Sequence, residues 1–104
     1  MIRRVLDALE LHEVREAADG DEAWSLFERH GFDLILTDWN MPGLSGLELV
    51  RNIRARNAEI PVFMITTEAE RRRVMEAIDA GVTEYIVKPF TPEVLTEKLR
   101  KHGF

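Results

Sequence analysis

The chain has 104 residues, enough for a single domain spanning 1–104, and its 45% hydrophobic content is that of a chain that folds around a core. Nineteen acidic against fourteen basic residues give a net charge of −5, which argues against a nucleic-acid binder. The absence of cysteine excludes disulfides and thiolate metal sites. No apolar run approaches a membrane span, so no membrane association is predicted and the expected location is cytoplasmic.

Helical patterns recur along the whole chain. Apolar residues at helical spacing predict helices over residues 2–10, from a cap at Asp19 or Asp21 to Gly31, behind a Ser45 cap, over residues 68–80, and behind a Thr91 cap. The stripes expected to face inward in the last four are Ala23, Trp24 and Phe27; Leu47, Val50 and Ile53; Val74, Ala77 and Ile78; and Val94, Leu95 and Leu99. Gly81 has the position of a C-terminal stop.

Short strand patterns lie between these helices. One is predicted over residues 12–17, and three continuous apolar runs follow at residues 33–38, 62–67 and 85–88. Continuous runs are typical of strands covered on both faces of a parallel sheet. The alternation of strand and helix therefore predicts an α/β domain built from right-handed βαβ units.

Three chemically active side chains fall at the carboxyl ends of these strands: Asp38, Thr66 and Lys88. Alone, each has an ordinary structural interpretation, as a cap, a β-branched strand residue or an extended surface lysine. Together they lie at the sheet edge where open α/β sheets bind ligands. An ionised aspartate can attack phosphorus, a lysine can neutralise the transferring group, and a hydroxyl can bond to its oxygens. The set therefore favours phosphoryl transfer.

An aspartate-based phosphatase is a competing interpretation of the same residues. Phosphatases of the haloacid-dehalogenase type need a second aspartate two positions after the nucleophile. That position is Asn40, so the general acid is missing and the phosphatase hypothesis fits poorly. We expect no enzymatic turnover.

The segments DLILTDWNMPGLSGLELVRNIR, PVFMITTEAE and EYIVKPF together resemble the receiver domain of two-component response regulators, and are most similar to stand-alone chemotaxis receivers of the CheY-like type. Trp39, beside the acid, matches the chemotaxis subgroup. The resemblance implies a flavodoxin-like, doubly wound parallel sheet in a three-layer α/β/α arrangement.

The resemblance also implies roles for individual residues. Asp38 would accept a phosphoryl group from a histidine kinase, and Lys88 would pair with that group. Thr66 and Tyr85 would be the switch residues. The backbone carbonyl of Asn40 would join Asp38 in binding Mg²⁺, and the Lys88-Pro89 peptide bond would be cis.

One part of the family pattern is missing from this sequence. Receivers begin with a hydrophobic strand that ends in an acidic pair, and that pair holds Mg²⁺. Here the pair is absent, because Asp7 lies on the predicted first helix and Glu13 and Glu16 lie in the next strand. We therefore expect a domain truncated at its N-terminus to about four strands, with weakened Mg²⁺ binding and impaired phosphorylation.

Loss of a central strand has two possible consequences: the remaining strands close into a four-stranded sheet and the helices repack, or strand edges stay unpaired and pair with another copy. We expect a homo-oligomer, formed through exposed or exchanged strands. The alternative function is a non-phosphorylatable module for protein interaction or dimerisation. Arg71, Arg72 and Arg73 are expected on a solvated face, although they also suit docking of an acidic protein partner. The kinase and the output partner are not identified by these residues.

Overall fold

The structure is a computed structural model that describes residue 17 and residues 19–104. The predicted helix over residues 2–10 lies outside the described residues. So does the predicted strand over residues 12–17, apart from residue 17 itself. The truncation to about four strands and the expected oligomer therefore stay predictions.

Helices and strands alternate regularly along the described chain. The elements are α1 (Gly20–Arg29), β1 (Ile35–Thr37), α2 (Gly46–Arg56), β2 (Val62–Thr66), α3 (Arg71–Ala80), β3 (Glu84–Val87) and α4 (Pro92–Lys101). Each strand lies within a residue or two of its predicted bounds. Among the residues described, no helix has the length and apolar character needed to cross a membrane.

The strands form a parallel sheet in the order β1-β2-β3. Ile35 is opposite Val62, and Thr66 is opposite Val87, so the carboxyl ends of the strands meet at one edge. Because parallel strands need helical crossovers, the helices cover the faces of this sheet. The architecture is the flavodoxin-like α/β fold that the sequence predicts.

The central strand β2 divides the core in two. All five of its residues are buried. Val62 and Met64 pack in a cluster with residues of α2 and α3, whereas Phe63 and Ile65 pack with Leu95 and its neighbours on α4. Alternate residues of a strand point to opposite faces, so a continuous apolar run is what a strand between two helical layers requires.

The helix ends follow the predicted signals. Asp19, rather than Asp21, caps α1, and Ser45 and Thr91 cap α2 and α4; each accepts a hydrogen bond from the backbone N–H three residues later. At the end of α3, Gly81 adopts a left-handed conformation with φ of 111°, which glycine accommodates without a Cβ clash.

The prediction that Ile78 and Val94 face inward is wrong, and one helix starts later than predicted. Ile78 is 51% exposed and Val94 is 38% exposed. Each is adjacent in sequence to a buried residue, and a rotation of about 100° per residue carries it off the inner face. Helix α3 begins at Arg71 instead of residue 68, because the preceding loop is held by a hydrogen bond from the Glu68 N–H to the Thr66 hydroxyl.

The His102 side chain is only 24% exposed. Its ring packs edge-on against Phe63 with a centroid separation of 5.5 Å, and its Nε2 lies 3.1 Å from a carboxylate oxygen of Glu84. Lys98 and Lys101 pair with the same carboxylate. This cluster ties the end of α4 to the start of β3, at the opposite end of the strand from Lys88.

Candidate functional site

Asp38 is the first residue after β1, and the loop that follows it is anchored on both sides. The backbone N–H of Asn40 donates to Asp38 Oδ1 at 3.3 Å, and the N–H of Gly46 donates to the carbonyl of Trp39 at 2.9 Å. Helix α2 then starts at its Ser45 cap. The carboxylate that ends the apolar strand is thus not the cap of a helix, because Ser45 serves that function.

Gly46 lets the first turn of α2 approach Asp38 closely. A Cβ at this position would overlap the carbonyl oxygen of Asp38. We expect Gly46→Ala to lower the free energy of unfolding by about 2 kcal/mol, the range of an overpacked site, and to displace the Asp38 loop.

Chemical denaturation measures this effect, and Gly31→Ala is the matched control because no atom lies within 4 Å of a Cβ at Gly31. Equal stability of the two variants would contradict a tight contact between α2 and the Asp38 loop.

Lys88 follows β3 and reaches across the sheet edge to Asp38. Its Nζ lies 2.8 Å from Asp38 Oδ2, with the two side chains 40% and 34% exposed. The backbone N–H of Lys88 donates to the Thr66 carbonyl at 2.8 Å, which continues the parallel ladder and fixes the base of the side chain. The Lys88-Pro89 bond is cis, as predicted.

The Asp38 carboxyl group is held in its ionised form. Burial raises its pKa, but the hydrogen bond and charge of Lys88 lower it. The Thr66 hydroxyl and the Asn40 N–H add further hydrogen bonds, and the net pKa lies below its ordinary value. At neutral pH the group is therefore an anionic nucleophile already paired with a cation.

Thr66 and Tyr85 are joined through Glu68, a residue that the sequence reasoning missed. Thr66 is fully buried, and its hydroxyl accepts a hydrogen bond from the Glu68 N–H at 3.3 Å. The Tyr85 hydroxyl donates to the Glu68 carbonyl at 2.6 Å, and the Asn40 side-chain amide donates to the Glu68 carboxylate at 3.2 Å. The only sequence signal for Glu68 is its position two residues after the strand end at Thr66.

The charges of the site also affect the pKa of the Tyr85 hydroxyl. Burial raises its pKa, and the negative charge of Glu68 raises it further. The positive charge of Arg73 lowers it, while Asp38 contributes a smaller increase. Tyr85 is thus electrostatically coupled to the carboxylate at the end of β1.

The predicted metal ligands lie in the same loop. The Asp38 carboxylate and the Asn40 carbonyl are hard oxygen donors of the kind that Mg²⁺ takes, so they fit the ion. Within residues 17 and 19–104 there is no cluster of three or more acidic, histidine or cysteine side chains that could hold a metal.

The site unites all the predicted residues at one sheet edge: Asp38, Asn40, Thr66, Tyr85 and Lys88. An ionised carboxylate, a cation and a hydroxyl converge there. This combination can accept and neutralise a phosphoryl group.

Comparisons with known proteins identify the family of this chain. The family model of the response regulator receiver domain matches residues 1–100. The chain is 46% identical to chemotaxis protein CheY-3 of Vibrio cholerae, over 97% of this chain and 79% of that protein. It is 45% identical to chemotaxis protein CheY of Pseudomonas aeruginosa, over 97% of this chain and 83% of that protein.

Solved structures give the same result. Chemotaxis protein CheY4 of Vibrio cholerae, crystallised at low pH, superposes with a TM-score of 0.84 at 36% identity, covering 97% of this chain and 85% of that one. The receiver domain of sensor histidine kinase PA1611 from Pseudomonas aeruginosa, with a magnesium ion in its active site cleft, gives a TM-score of 0.83 at 31% identity, covering 96% and 83%. The chain therefore belongs to the response regulator receiver domain family, and it is similar to the chemotaxis proteins of that family.

Proposed function

We propose that this receiver domain is a phosphorylation switch in which Asp38 accepts a phosphoryl group from a histidine kinase. The single observation that carries the proposal is the 2.8 Å ion pair between Lys88 Nζ and Asp38 Oδ2 at the carboxyl end of the sheet. Membership in the receiver domain family and the similarity to chemotaxis proteins also support the proposal. The chain would act as an acceptor and signal carrier, without turnover of a substrate.

The transfer itself needs no general base, because the Asp38 carboxyl is already ionised. Its oxygen forms a bond to phosphorus while the bond from phosphorus to the donor nitrogen or oxygen breaks, and the donor leaves with that electron pair. Lys88 stabilises the negative charge on the transferring oxygens. The product is an acyl phosphate on Asp38.

Mg²⁺ belongs to this proposal as a bound ion that neutralises phosphoryl charge. We propose that the Asp38 carboxylate and the Asn40 carbonyl hold it. With these two protein donors and several waters, we expect weak binding, as the sequence predicts, because Mg²⁺ affinity depends on carboxylate ligands.

The switch is proposed to run through Thr66, Glu68 and Tyr85. A phosphoryl group on Asp38 would place new charged acceptors farther from the strand end than the carboxylate that the Thr66 hydroxyl now bonds. Movement of the hydroxyl toward a phosphoryl oxygen would lengthen the bond that it accepts from the Glu68 N–H. Tyr85 is bonded to the Glu68 carbonyl, so a shift of Glu68 reaches the surface formed by α3, β3 and α4. We propose that an output protein reads this surface.

The proposal is tested by the intact mass of the folded protein after incubation with acetyl phosphate and Mg²⁺. We expect one added phosphoryl group on the parent and none on Asp38→Asn. Asp33→Asn is the matched control, because Asp33 is an exposed acid just before β1; it should be labelled like the parent. Absence of the adduct from a folded parent would favour the non-phosphorylatable interaction module instead.

A further inference from the structure

Arg73 contacts Trp39, the residue that follows Asp38 in the sequence. Its guanidinium carbon is 5.3 Å from the centroid of the Trp39 ring, which is the geometry of a cation–π contact. Trp39 is only 6% exposed, so its ring is a fixed platform, whereas the Arg73 side chain is 46% exposed. The contact places a positive charge at the start of α3 beside the Asp38 loop.

The positive charge of Arg73 does not stabilise the helix in which it lies. Arg73 is in the first turn of α3, where the helix dipole disfavours cations, and that turn contains no acidic residue. The carboxylate of Glu76, one turn later, is 3.9 Å away and half-exposed, which makes it a weak partner. The guanidinium therefore retains most of its capacity to attract an anion.

The electrostatic reach of Arg73 extends to the site itself. The positive charge of Arg73 and the negative charge of Asp38 both act on the Tyr85 hydroxyl, in opposite directions. Lys88 already balances the single charge of the Asp38 carboxylate, whereas an incoming phosphodonor brings additional negative charge. A second cation at this edge would offset that addition.

We propose that Arg73, seated on Trp39, is a positioning residue that attracts anionic phosphodonors to Asp38 and thereby speeds phosphoryl transfer. This inference rests on the proposed function, because it assigns a role in the same reaction. The reacting atoms are unchanged: the Asp38 oxygen bonds to phosphorus, and with an acyl phosphate the departing carboxylate takes the electron pair. Arg73 acts on the charge of the donor, not on the bonds.

The test compares Arg73→Gln with Arg72→Gln. Arg72 is an exposed neighbour on the same helix and makes no hydrogen bond, ion pair or ring contact within the described part of the chain, so both changes remove one charge from α3. We expect Arg73→Gln to slow labelling by acetyl phosphate about three-fold relative to Arg72→Gln. Arg73→Lys should retain most of the rate.

Donor charge separates attraction from a merely structural effect. Acetyl phosphate carries two negative charges at neutral pH and phosphoramidate carries one, so the loss in Arg73→Gln should be smaller with phosphoramidate. It should also shrink as ionic strength rises. An equal loss with both donors at every salt concentration would overturn the proposal.

The outcomes also separate this inference from the proposed function. If the parent protein takes no label, both the proposed function and the role of Arg73 are contradicted. A labelled parent with equal rates for Arg73→Gln and Arg72→Gln would contradict only the role of Arg73.

An independent check uses the single tyrosine of the chain. Ultraviolet titration should show a higher Tyr85 pKa in Arg73→Gln than in Arg72→Gln, because the positive charge of Arg73 lowers that pKa. Equal pKa values would contradict the placement of the charge.

Discussion

Replacing Lys88 with methionine is expected to slow phosphoryl transfer to Asp38 by about a hundredfold, the loss typical when one positioned donor is removed from a charged transition state. The substitution keeps most of the side-chain length but removes the cation that lies 2.8 Å from the carboxylate. Negative charge on the transferring group would then lack its nearest protein counter-charge. The time course of the intact-mass adduct with acetyl phosphate measures the effect.

Lys101→Met is the matched control for this variant. Lys101 also pairs with an acid, Glu84, but at the other end of β3, and its side chain is 66% exposed. It should be labelled at the parent rate. If Lys88→Met and Lys101→Met were labelled equally fast, the ion pair at the strand ends would have no part in the transfer.

Leu95→Ala should produce the largest loss of stability that we predict, about 2–5 kcal/mol in the free energy of unfolding. Leu95 is fully buried on the inner face of α4 and packs in the cluster that contains Phe63 and Ile86. Truncation removes apolar contacts and leaves a cavity against the central strand. Urea denaturation followed by circular dichroism measures the change.

Val94→Ala provides the comparison from the neighbouring position. Val94 is 38% exposed, so its truncation should change stability by less than about 1 kcal/mol. A large effect at Val94 together with a small one at Leu95 would mean that α4 packs on the sheet through a different face.

Features that depend on neighbouring residues were predictable from the sequence. Ser45 and Thr91 were predicted as caps, and the structure confirms them, because a cap bond joins residues three positions apart. The strand ends at Asp38, Thr66 and Lys88 were predicted for a related reason. Each apolar run is short and ends abruptly at a polar residue, and the topology of a parallel sheet then brings those ends together.

Features that depend on tertiary packing were not predictable in the same way. The stripes of α3 and α4 include Ile78 and Val94 on pattern alone, yet only the docked helix shows which side faces the sheet. Glu68 and Arg73 become part of the site through contacts with Tyr85 and Trp39, which are distant in sequence. No local pattern signals such contacts.

The most direct test of the central claim is to map the phosphoryl group chemically. Protein labelled with acetyl phosphate and Mg²⁺ is reduced with borohydride, which converts an aspartyl phosphate to homoserine, and is then digested and sequenced by tandem mass spectrometry. The account predicts homoserine at position 38, in the peptide that contains Trp39 and Asn40. Reduction at another acid, or an unmodified Asp38 in labelled protein, would contradict it.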